Sequence, residues 1–439
     1  MITKFNFTDR TIKSYAIRKL TPTECFRLMG VRQDVINVMQ STNAQAAERM
    51  PGTEGKGKPS DMAVSVSQQY KQAGNSIVVD VLKAIYAQLW YPKPPKPQAQ
   101  LSMFDVFFPE DALPLHPVDT PEGEKVIITT FSGYDSQLMA ADALREDHPD
   151  FHWTCMGWSD IDKYACQMHN IVFPQYADRA LGDITKIDWH KVKRSLQGRE
   201  VDLFTYSSPC QDISQAGKQM GLKEGSDTRS ALLWHVADAV AVLNPKYLLQ
   251  ENVAALVSEK FMPDFKLWLA KLESLGYVNR WARLNAKDYG VPQNRDRVFC
   301  LSMRKDVAFD YQFPEAFPLQ TRLENVLEEE VSERYFLKDD AVSKFLRAND
   351  DDDALFLQFD LPPTHEAAMF LKTWLTLWIQ AADGGEMSST SLQLALNSAK
   401  QKMKLSYSVF TEKGAAALGH EFESLYNENL KRRPNDENR

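Results

Sequence analysis

Cysteine is scarce and scattered in this sequence: five cysteines occur in 439 residues, and none form a C-x-x-C pair. This pattern argues against a disulfide framework and against a zinc site, so we expect a reducing compartment and no metal. Long apolar runs are also missing, and no segment has the length needed to span a bilayer. The N-terminal residues lack a signal-peptide pattern, which predicts a cytoplasmic protein.

An excess of positive charge is absent as well. The sequence has 51 Lys and Arg residues against 59 Asp and Glu residues, a formal net charge of −8. Nucleic-acid-binding proteins usually need a basic surface, because phosphate contacts supply much of the affinity. A basic cleft can coexist with acidic surfaces elsewhere, so this balance is only a mild argument against a nucleic-acid substrate.

An α/β fold with a doubly wound, mostly parallel sheet is predicted by the alternation of strand-like and helix-like segments between residues 125 and 305. The predicted strands are Val126–Phe131, His152–Gly157, Asp202–Tyr206, Tyr247–Gln250 and Val298–Ser302. The predicted helices are Ser136–Glu146, Ile161–Asn170, Arg229–Leu243 and Asp264–Leu275.

Composition divides the chain into four parts, which are residues 1–91, 92–124, 125–335 and 336–439. The first part has a predicted helix from Thr21 to about Gly30, a loop over 42–62 and a helix over 78–90. The second is a Pro-rich linker that favours extended polyproline II. The third is the α/β core, which continues into a charged helix near 323–331. The last is predicted to be a small, mainly helical unit.

Cys210 is the most informative residue. It follows the aromatic and β-branched run FTYSSP, so a strand delivers its thiol to the carboxyl end of the sheet, where open α/β sheets bind ligands. A glycine-punctuated loop follows, in which Gln211, Ser214, Gly217 and Lys218 suit a mobile, phosphate-facing lid. A lone internal cysteine is usually an inert core residue, but this position favours a nucleophile.

Polar residues also follow other predicted strands. Gly133 lies in a short turn after the first strand, Asp160 follows the second, and Glu251 ends the apolar run 247–249. A small turn lets a cofactor approach the backbone, and a carboxylate after the second strand is placed to accept hydrogen bonds from a ribose. Taken singly, each residue also fits a tight turn or a helix cap.

Together these blocks resemble the C5-cytosine methyltransferases. Pro209-Cys210-Gln211 is similar to the family's nucleophile motif, and Glu251-Asn252-Val253 to its acid block. Gln293-Asn294-Arg295-Asp296-Arg297, preceded by Tyr-Gly-Val-Pro, is similar to its Gln-x-Arg-x-Arg block.

The resemblance implies an S-adenosyl-L-methionine-dependent enzyme that methylates C5 of cytosine in double-stranded DNA. Cys210 would attack C6 of a flipped-out base, and Glu251 would act at N3. Arg295 would hold the cytosine O2 and the nucleophile region, while Arg297 would buttress the site or meet phosphate.

The cofactor-binding residues implied by the resemblance are Phe131, Gly133, Asp160 at the ribose, Ile161 beside the adenine, Asp183 at the adenine amino group, and Asn75 and Ser76. Two positions depart from the family pattern. Thr129 replaces an acidic residue, and Asp135 replaces the second glycine of Phe-x-Gly-x-Gly. Asp135 could itself face the methionine ammonium group.

The order of the blocks is unusual, because two blocks that come late in the family precede the cofactor turn. These are Arg18–Gly30, similar to Arg-x-Leu-Thr-x-x-Glu, and Tyr70–Ile77, similar to the block with Gly-Asn-Ser. The chain therefore resembles a circularly permuted member, in which residues 1–91 complete the catalytic domain. Residues 336–439 are then expected to be a target-recognition region or an appended helical domain.

Within the linker, Gln100-Leu101-Ser102-Met103-Phe104 resembles the short peptide by which bacterial replication proteins dock on the sliding clamp. The resemblance as a whole also favours a prokaryotic or phage source and a role in restriction-modification. Two alternatives stay open: the same chemistry on transfer RNA, and an inactive binding module on the same fold. The sequence does not define the oligomeric state.

Overall fold

The structure is a computed structural model that describes residues 2–6, 11–15, 17–49, 64–92, 123–209, 232–337 and 354–358. It divides the chain into two compact units. The larger unit is Pro22–Leu327, and the smaller combines Met1–Thr21 with Glu328–Arg439.

A six-stranded sheet forms the centre of the larger unit. Its strands are β3 (Glu124–Thr130), β4 (His152–Ser159), β5 (Leu203–Tyr206), β6 (Tyr247–Val253), β7 (Tyr277–Asn285) and β8 (Asp296–Arg304). They lie in the order β4-β3-β5-β6-β8-β7. The first four pair in parallel, whereas β8 runs antiparallel to both β6 and β7. The predicted mostly parallel α/β sheet is confirmed.

Helices cover both faces of this sheet. The described helices of the unit are α1 (Pro22–Arg27), α2 (Gln33–Arg49), α3 (Val66–Asn75), α4 (Val79–Trp90), α5 (Ser136–Asp147), α6 (Lys163–Val172), α7 (Trp189–Ser195), α8 (Trp234–Leu243) and α9 (Met262–Ser274). Alternate residues of β3 point to opposite sides: Ile127 joins the core under α4 and α5, while Val126 and Ile128 join the core under α8 and α9.

The N-terminal helices belong to the same core as the sheet. Leu82, Ile85 and Leu89 of α4 are fully buried and share one apolar cluster with Leu138 and Leu144 of α5. The spacing of these α4 residues gives the helix one apolar face, which packs against α5. Residues 22–90 and the α/β segment therefore form one compact unit.

The smaller unit contains a three-stranded antiparallel sheet of β1 (Ile2–Asn6), β2 (Thr11–Tyr15) and β9 (Ala354–Gln358), in the order β2-β1-β9. The strand β9 lies in the stretch for which the sequence predicts a helical unit. It pairs with β1 at every residue, so its conformation depends on a partner more than 300 positions away in the chain. Residues 359–439, which make up most of the predicted helical unit, lie outside the described residues.

Three further predictions differ from the structure. The strand β7 was not predicted, because only its end residues Tyr277 and Leu284 are buried and its middle has no clear alternation. The helix α2 extends to Arg49, through part of the predicted loop 42–62. The predicted charged helix near 323–331 is only a 3-10 turn, Leu323–Val326, since Val326 is its one buried residue and a helix there has no apolar face to bury.

Candidate active site

The site lies at the carboxyl edge of the sheet, where the chain order reverses between β3 and β5. From β3 the chain crosses to β4 on one side and then returns to β5 on the other. Loops that leave neighbouring strands in opposite directions open a crevice at this position, and open α/β sheets bind ligands there. The ends of β3, β4, β5 and β6 all face this edge, because these strands are parallel.

Glu251 is buried near the end of β6, with 8% of its surface exposed. Arg297 lies on the antiparallel neighbour β8, where it pairs with Val253, so the side chains of Arg297 and Glu251 share one face of the sheet. The Arg297 Nε atom lies 3.2 Å from Glu251 Oε1. Burial raises the pKa of the Glu251 carboxyl above its usual value, against the lowering effect of Arg297 and Arg295. Glu251 is therefore biased towards its protonated form.

Asn252, the residue after Glu251 on β6, contacts the segment that follows β5. Its Nδ2 atom donates to the Ser208 carbonyl at 3.3 Å, and its side chain is buried. Ser208 stands two positions before Cys210 in the chain. The described residues end at Pro209, directly before the proposed nucleophile. Outside them lie Cys210 and the loop residues Gln211, Ser214, Gly217 and Lys218.

Arg295 contacts the N-terminal segment. Its guanidinium donates to the carbonyl of Gly74 at 2.9 Å and to the carbonyl of Ser76 at 2.6 Å. Nearby, Gln293 Nε2 donates to the Leu28 carbonyl at 2.9 Å. The Gln-x-Arg-x-Arg block thus joins two segments that precede it by more than 200 residues, while Arg297 of the same block contacts the acid.

The turn after β3 has an unusual backbone. Phe131 has φ 53° and Gly133 has φ 59°, and both lie in the left-handed region that favours glycine. The Gly133 amide donates to Asp160 Oδ2 at 2.8 Å, which connects this turn to the end of β4. The space beside the Gly133 Cα is open, with no atom within 4 Å of the position a Cβ would take. A ligand can approach the backbone there.

Asp160 and Ile161 follow β4 at the same edge. Asp160 also accepts from the Asp162 amide at 2.8 Å, and burial raises the pKa of its carboxyl despite these two hydrogen bonds. Ile161 is 73% exposed, which is a large exposure for an isoleucine beside a buried turn. The pair combines a polar group with an apolar surface, as a nucleoside requires.

Asp183 begins the 3-10 turn Ile184–Lys186, a short distance along the chain from β4. Its carboxylate accepts from the amide and the hydroxyl of Thr185, at 3.0 Å and 2.8 Å, and these bonds lower the pKa of the group. The preceding Gly182 carbonyl accepts from Ser159 Oγ at 2.6 Å. The Asp183 turn is thereby held against the end of β4.

Asp135 lies beneath the turn rather than on its open side. The side chain is 0% exposed and caps α5 by accepting from the Leu138 amide at 3.2 Å. Its other oxygen accepts from Thr129 Oγ1 at 2.7 Å and lies 3.2 Å from His169 Nε2. The carboxylate is therefore directed into the protein and away from the crevice where the methionine ammonium group was expected.

Asn75 and Ser76 end α3 beside the first residue of α5. Asn75 is exposed, and Ser76 Oγ donates to Ser136 Oγ at 3.2 Å. The structure thus brings the Gly-Asn-Ser block to the cofactor turn, although 56 residues separate Asn75 from Phe131 in the chain. Sequence patterns alone do not point to His169 or to the side chain of Asn252 as functional. A histidine on a helix carries no local signal, and Asn252 could have been found as part of its block.

A protein-family comparison identifies the chain. The family model for C-5 cytosine-specific DNA methylase matches residues 130–402, more than half of the sequence. The chain belongs to this family.

Curated relatives agree with this assignment. The type II methyltransferase M2.ScrFI of Lactococcus lactis subsp. cremoris is 46% identical over 166 residues, covering 38% of this chain and 44% of that protein. The orphan methyltransferase M.SssI of Spiroplasma monobiae is 44% identical over 149 residues, covering 33% and 37%. The chain spans about two fifths of the length of these relatives. Among solved structures, an Entamoeba histolytica methyltransferase matches at 20% identity with a TM-score of 0.40, over 51% of this chain and 66% of that chain.

In the described part of the chain, no group of three or more His, Cys, Asp or Glu residues is arranged to bind a metal ion. None of the helices within the described ranges is long and apolar enough to cross a membrane.

Proposed function

We propose that this protein transfers a methyl group from S-adenosyl-L-methionine to C5 of cytosine in DNA. The observation that carries the proposal is the buried Glu251 carboxyl, held 3.2 Å from the Arg297 guanidinium next to the strand end that leads to Cys210. A buried acid at a ligand-binding edge, with its pKa raised, is the group that this chemistry requires.

Cytosine C5 is a poor nucleophile, and a thiolate from Cys210 overcomes this by adding to C6. The addition places negative charge on the ring, and a proton donor at N3 neutralises it. Glu251 suits this role because burial biases it towards the protonated state. After methylation, loss of the C5 proton and departure of the thiolate restore the aromatic ring.

The cofactor, when bound, supplies a sulfonium methyl group. We propose that Asp160 accepts hydrogen bonds from its ribose and that the exposed Ile161 covers one face of its adenine. Phe131, Gly133 and Asp183 would line the same crevice, with Asn75 and Ser76 at the methionine end. The open space beside the Gly133 Cα and the uncovered Ile161 support this assignment.

The two arginines of the Gln-x-Arg-x-Arg block have different surroundings, and we propose different roles for them. Arg297 orients Glu251 and tunes its protonation. Arg295 fixes the α3 end of the N-terminal segment to the core through the Gly74 and Ser76 carbonyls. We also propose that the Arg295 guanidinium contacts the cytosine O2, because its charge already acts on the nearby Glu251 carboxyl.

We further propose that the chain is circularly permuted, with residues 1–91 supplying blocks that other members carry at the end of the catalytic domain. The packing of α4 against α5 and the Ser76–Ser136 hydrogen bond support this reading. Residues 336–439 would then carry target recognition or an appended domain.

The proposed docking peptide Gln100–Phe104 lies outside the described residues. Recovery of the protein on immobilised sliding clamp, compared with a Leu101→Ala/Phe104→Ala variant, tests it: equal recovery of both would end that idea.

Covalent trapping tests the proposed reaction. A DNA duplex containing 5-fluorocytosine blocks loss of the C5 substituent, so the enzyme should stay attached to the DNA in the presence of cofactor. We expect a denaturation-resistant complex from the wild-type protein and none from Cys210→Ser. Absence of a complex from folded wild-type protein, over duplexes of varied sequence, would contradict the function.

A competition assay of methyl transfer separates DNA from RNA as the substrate. Unlabelled DNA should compete for methyl transfer, whereas transfer RNA should not. Methyl transfer to transfer RNA alone would overturn the choice of DNA while keeping the chemistry. A protein that binds cofactor but methylates neither would be an inactive module.

A further inference from the structure

The two departures of this chain from the family's cofactor-turn pattern lie in contact with each other. Thr129 replaces an acidic residue at the end of β3, and Asp135 replaces a glycine six positions later. In the structure, Thr129 Oγ1 donates to Asp135 Oδ2 at 2.7 Å. Both side chains are fully buried. A carboxylate is thus present at the end of β3 after all, but it is supplied by the residue that caps α5.

We propose that Asp135 is a positioning residue for the cofactor turn, which it holds from beneath together with Thr129 and His169. The inference rests on the proposed function, since it assigns a role within the cofactor site. Compared with the family pattern, this chain lacks the acid at position 129 and has one at position 135, and the Thr129–Asp135 hydrogen bond places both side chains in one buried cluster.

The backbone at Asp135 supports this role. Its φ of 67° lies in the left-handed region, which is less favourable for a residue with a side chain than for glycine. The cap hydrogen bond to the Leu138 amide, at 3.2 Å, offsets this cost and fixes the start of α5. The aspartate is therefore retained in a conformation that favours glycine because its carboxylate is held by its partners.

His169 closes the other side of the carboxylate. Its Nε2 atom lies 3.2 Å from Asp135 Oδ2, and its ring stacks on Trp158 with the ring centroids 3.8 Å apart. Both the histidine and the aspartate are fully buried. A buried carboxylate is costly without partners; the Thr129 hydroxyl and the Leu138 amide donate to it, and the His169 ring packs beside the same oxygen that Thr129 contacts.

Hydrogen bonds extend from this cluster to the ribose end of the crevice. Ser132 Oγ lies 2.9 Å from Thr129 Oγ1, and the Ser132 amide donates to the Ser159 carbonyl at 3.0 Å. The next residue, Gly133, donates to Asp160 at 2.8 Å. The position of the Asp135 carboxylate is thereby coupled to the backbone that would contact the cofactor.

Four variants test the proposal: Asp135→Gly, Thr129→Asp, the double variant Thr129→Asp/Asp135→Gly, and Asp202→Asn as a control. Asp202 is also a buried carboxylate, bonded to the Val126 amide at 2.7 Å and Lys246 Nζ at 2.9 Å, but it precedes β5 at the opposite edge of the sheet. Calorimetry gives the cofactor Kd, steady-state kinetics give kcat and the cofactor KM, and thermal melting reports folding.

We expect each single variant to weaken cofactor binding at least 10-fold, with kcat at saturating cofactor within about threefold of wild type. The double variant should recover to within about threefold, because it returns a carboxylate to the same space. Asp202→Asn should lower the melting temperature without changing the cofactor Kd. Glycine adopts the left-handed conformation easily, so loss of binding in Asp135→Gly cannot be attributed to backbone strain.

Wild-type binding in both single variants, or a double variant as weak as the sum of the two single effects, would overturn the proposal. If a single variant does not fold, His169→Phe keeps the stack on Trp158 and removes only the contact with the carboxylate. This variant should also bind cofactor at least 10-fold more weakly. Wild-type affinity of His169→Phe for the cofactor would likewise overturn the proposal. If the wild-type protein itself binds no S-adenosyl-L-methionine, the proposed function fails rather than this inference.

Discussion

Arg297 Nε lies 3.2 Å from Glu251 Oε1, and the two residues come from antiparallel neighbours in the sheet, 46 positions apart. The contact combines a buried acid, whose pKa is raised by burial, with a cation that opposes the rise. The balance between these two effects sets the pH range in which Glu251 can donate a proton.

Replacement of Glu251 by Gln should reduce methyl transfer by about 100- to 10,000-fold, the usual range for loss of a general acid. The amide keeps the shape of the acid but cannot transfer a proton. Because the neutral amide avoids burying a charge, the melting temperature at pH 7 should not fall. Methyl-transfer rates and thermal melting measured on the same preparation check both parts. A near-wild-type rate would remove Glu251 from the proposed chemistry.

Replacement of Arg297 by Met should move the alkaline limb of the pH–activity profile upwards by about one pH unit. Glu251 acts when protonated, so activity falls as the pH rises through its pKa. Removal of the nearby cation raises that pKa further and shifts the limb to higher pH. The matched control is Arg283→Met, on the adjacent strand β7, whose guanidinium pairs with Asp296 instead. An unmoved limb in Arg297→Met would show that this arginine does not tune the acid.

Replacement of Arg295 by Met should destabilise the protein by about 2 kcal/mol, since two hydrogen bonds from a charged donor to the Gly74 and Ser76 carbonyls are lost. The urea midpoint measures this loss. Hydrogen exchange should rise in α3 before it rises in the central strands, because the lost bonds hold the end of that helix. Equal stability of Arg295→Met and the wild-type protein would contradict the anchoring role.

Replacement of Ile161 by Ala should weaken cofactor binding without lowering stability. The side chain is 73% exposed, so its removal leaves no cavity, but it would uncover one face of the bound adenine. We expect roughly a 10-fold increase in the cofactor Kd, comparable to the loss of about 1.4 kcal/mol of apolar contact. Leu267→Ala is the control, because Leu267 is 63% exposed on α9, the helix that packs on β7. The same Kd for Ile161→Ala and wild type would place the adenine elsewhere.

The Asp80 carboxyl should lower the free energy of unfolding as the pH rises. Burial raises its pKa from 3.8 to about 6, despite the nearby Lys83. A carboxyl whose folded pKa is raised stabilises the fold most below its unfolded pKa near 4, and this contribution is lost as the pH rises through about 6. The loss amounts to at most about 3 kcal/mol. Asp80→Asn should therefore be more stable than wild type at pH 7 and no more stable at pH 4.

Urea midpoints between pH 4 and pH 7 measure this dependence. The exposed carboxylate of Asp178 provides the control, and Asp178→Asn should follow the wild-type curve. Parallel curves for wild type and Asp80→Asn would show that Asp80 does not titrate in this range.

Much of the fold was predictable because its signals are local. The strands β3, β4 and β5 and the helices α5, α6 and α9 agree with the structure to within a few residues, since each has a run of apolar residues bounded by Gly, Pro or polar residues. The strand β7 has no clear sequence signal because it lies at the edge of the sheet. It pairs with β8 alone, and most of its side chains are only partly buried. The strand β9 was missed because its conformation depends on pairing with β1.

The family and the chain positions of the chemical groups can be read from the amino-acid sequence alone: a thiol after one strand, an acid at the end of another, and a glycine turn after a third. These signals survive in the sequence because each group must stand at a fixed distance from its own strand end. Which of these groups contact one another is set by the folding of the chain. It joined Arg297 to Glu251, attached Arg295 to the segment that ends α3, and turned Asp135 inward onto Thr129 and His169. Contacts of this kind depend on strand order and side-chain burial, and neither leaves a pattern in neighbouring residues.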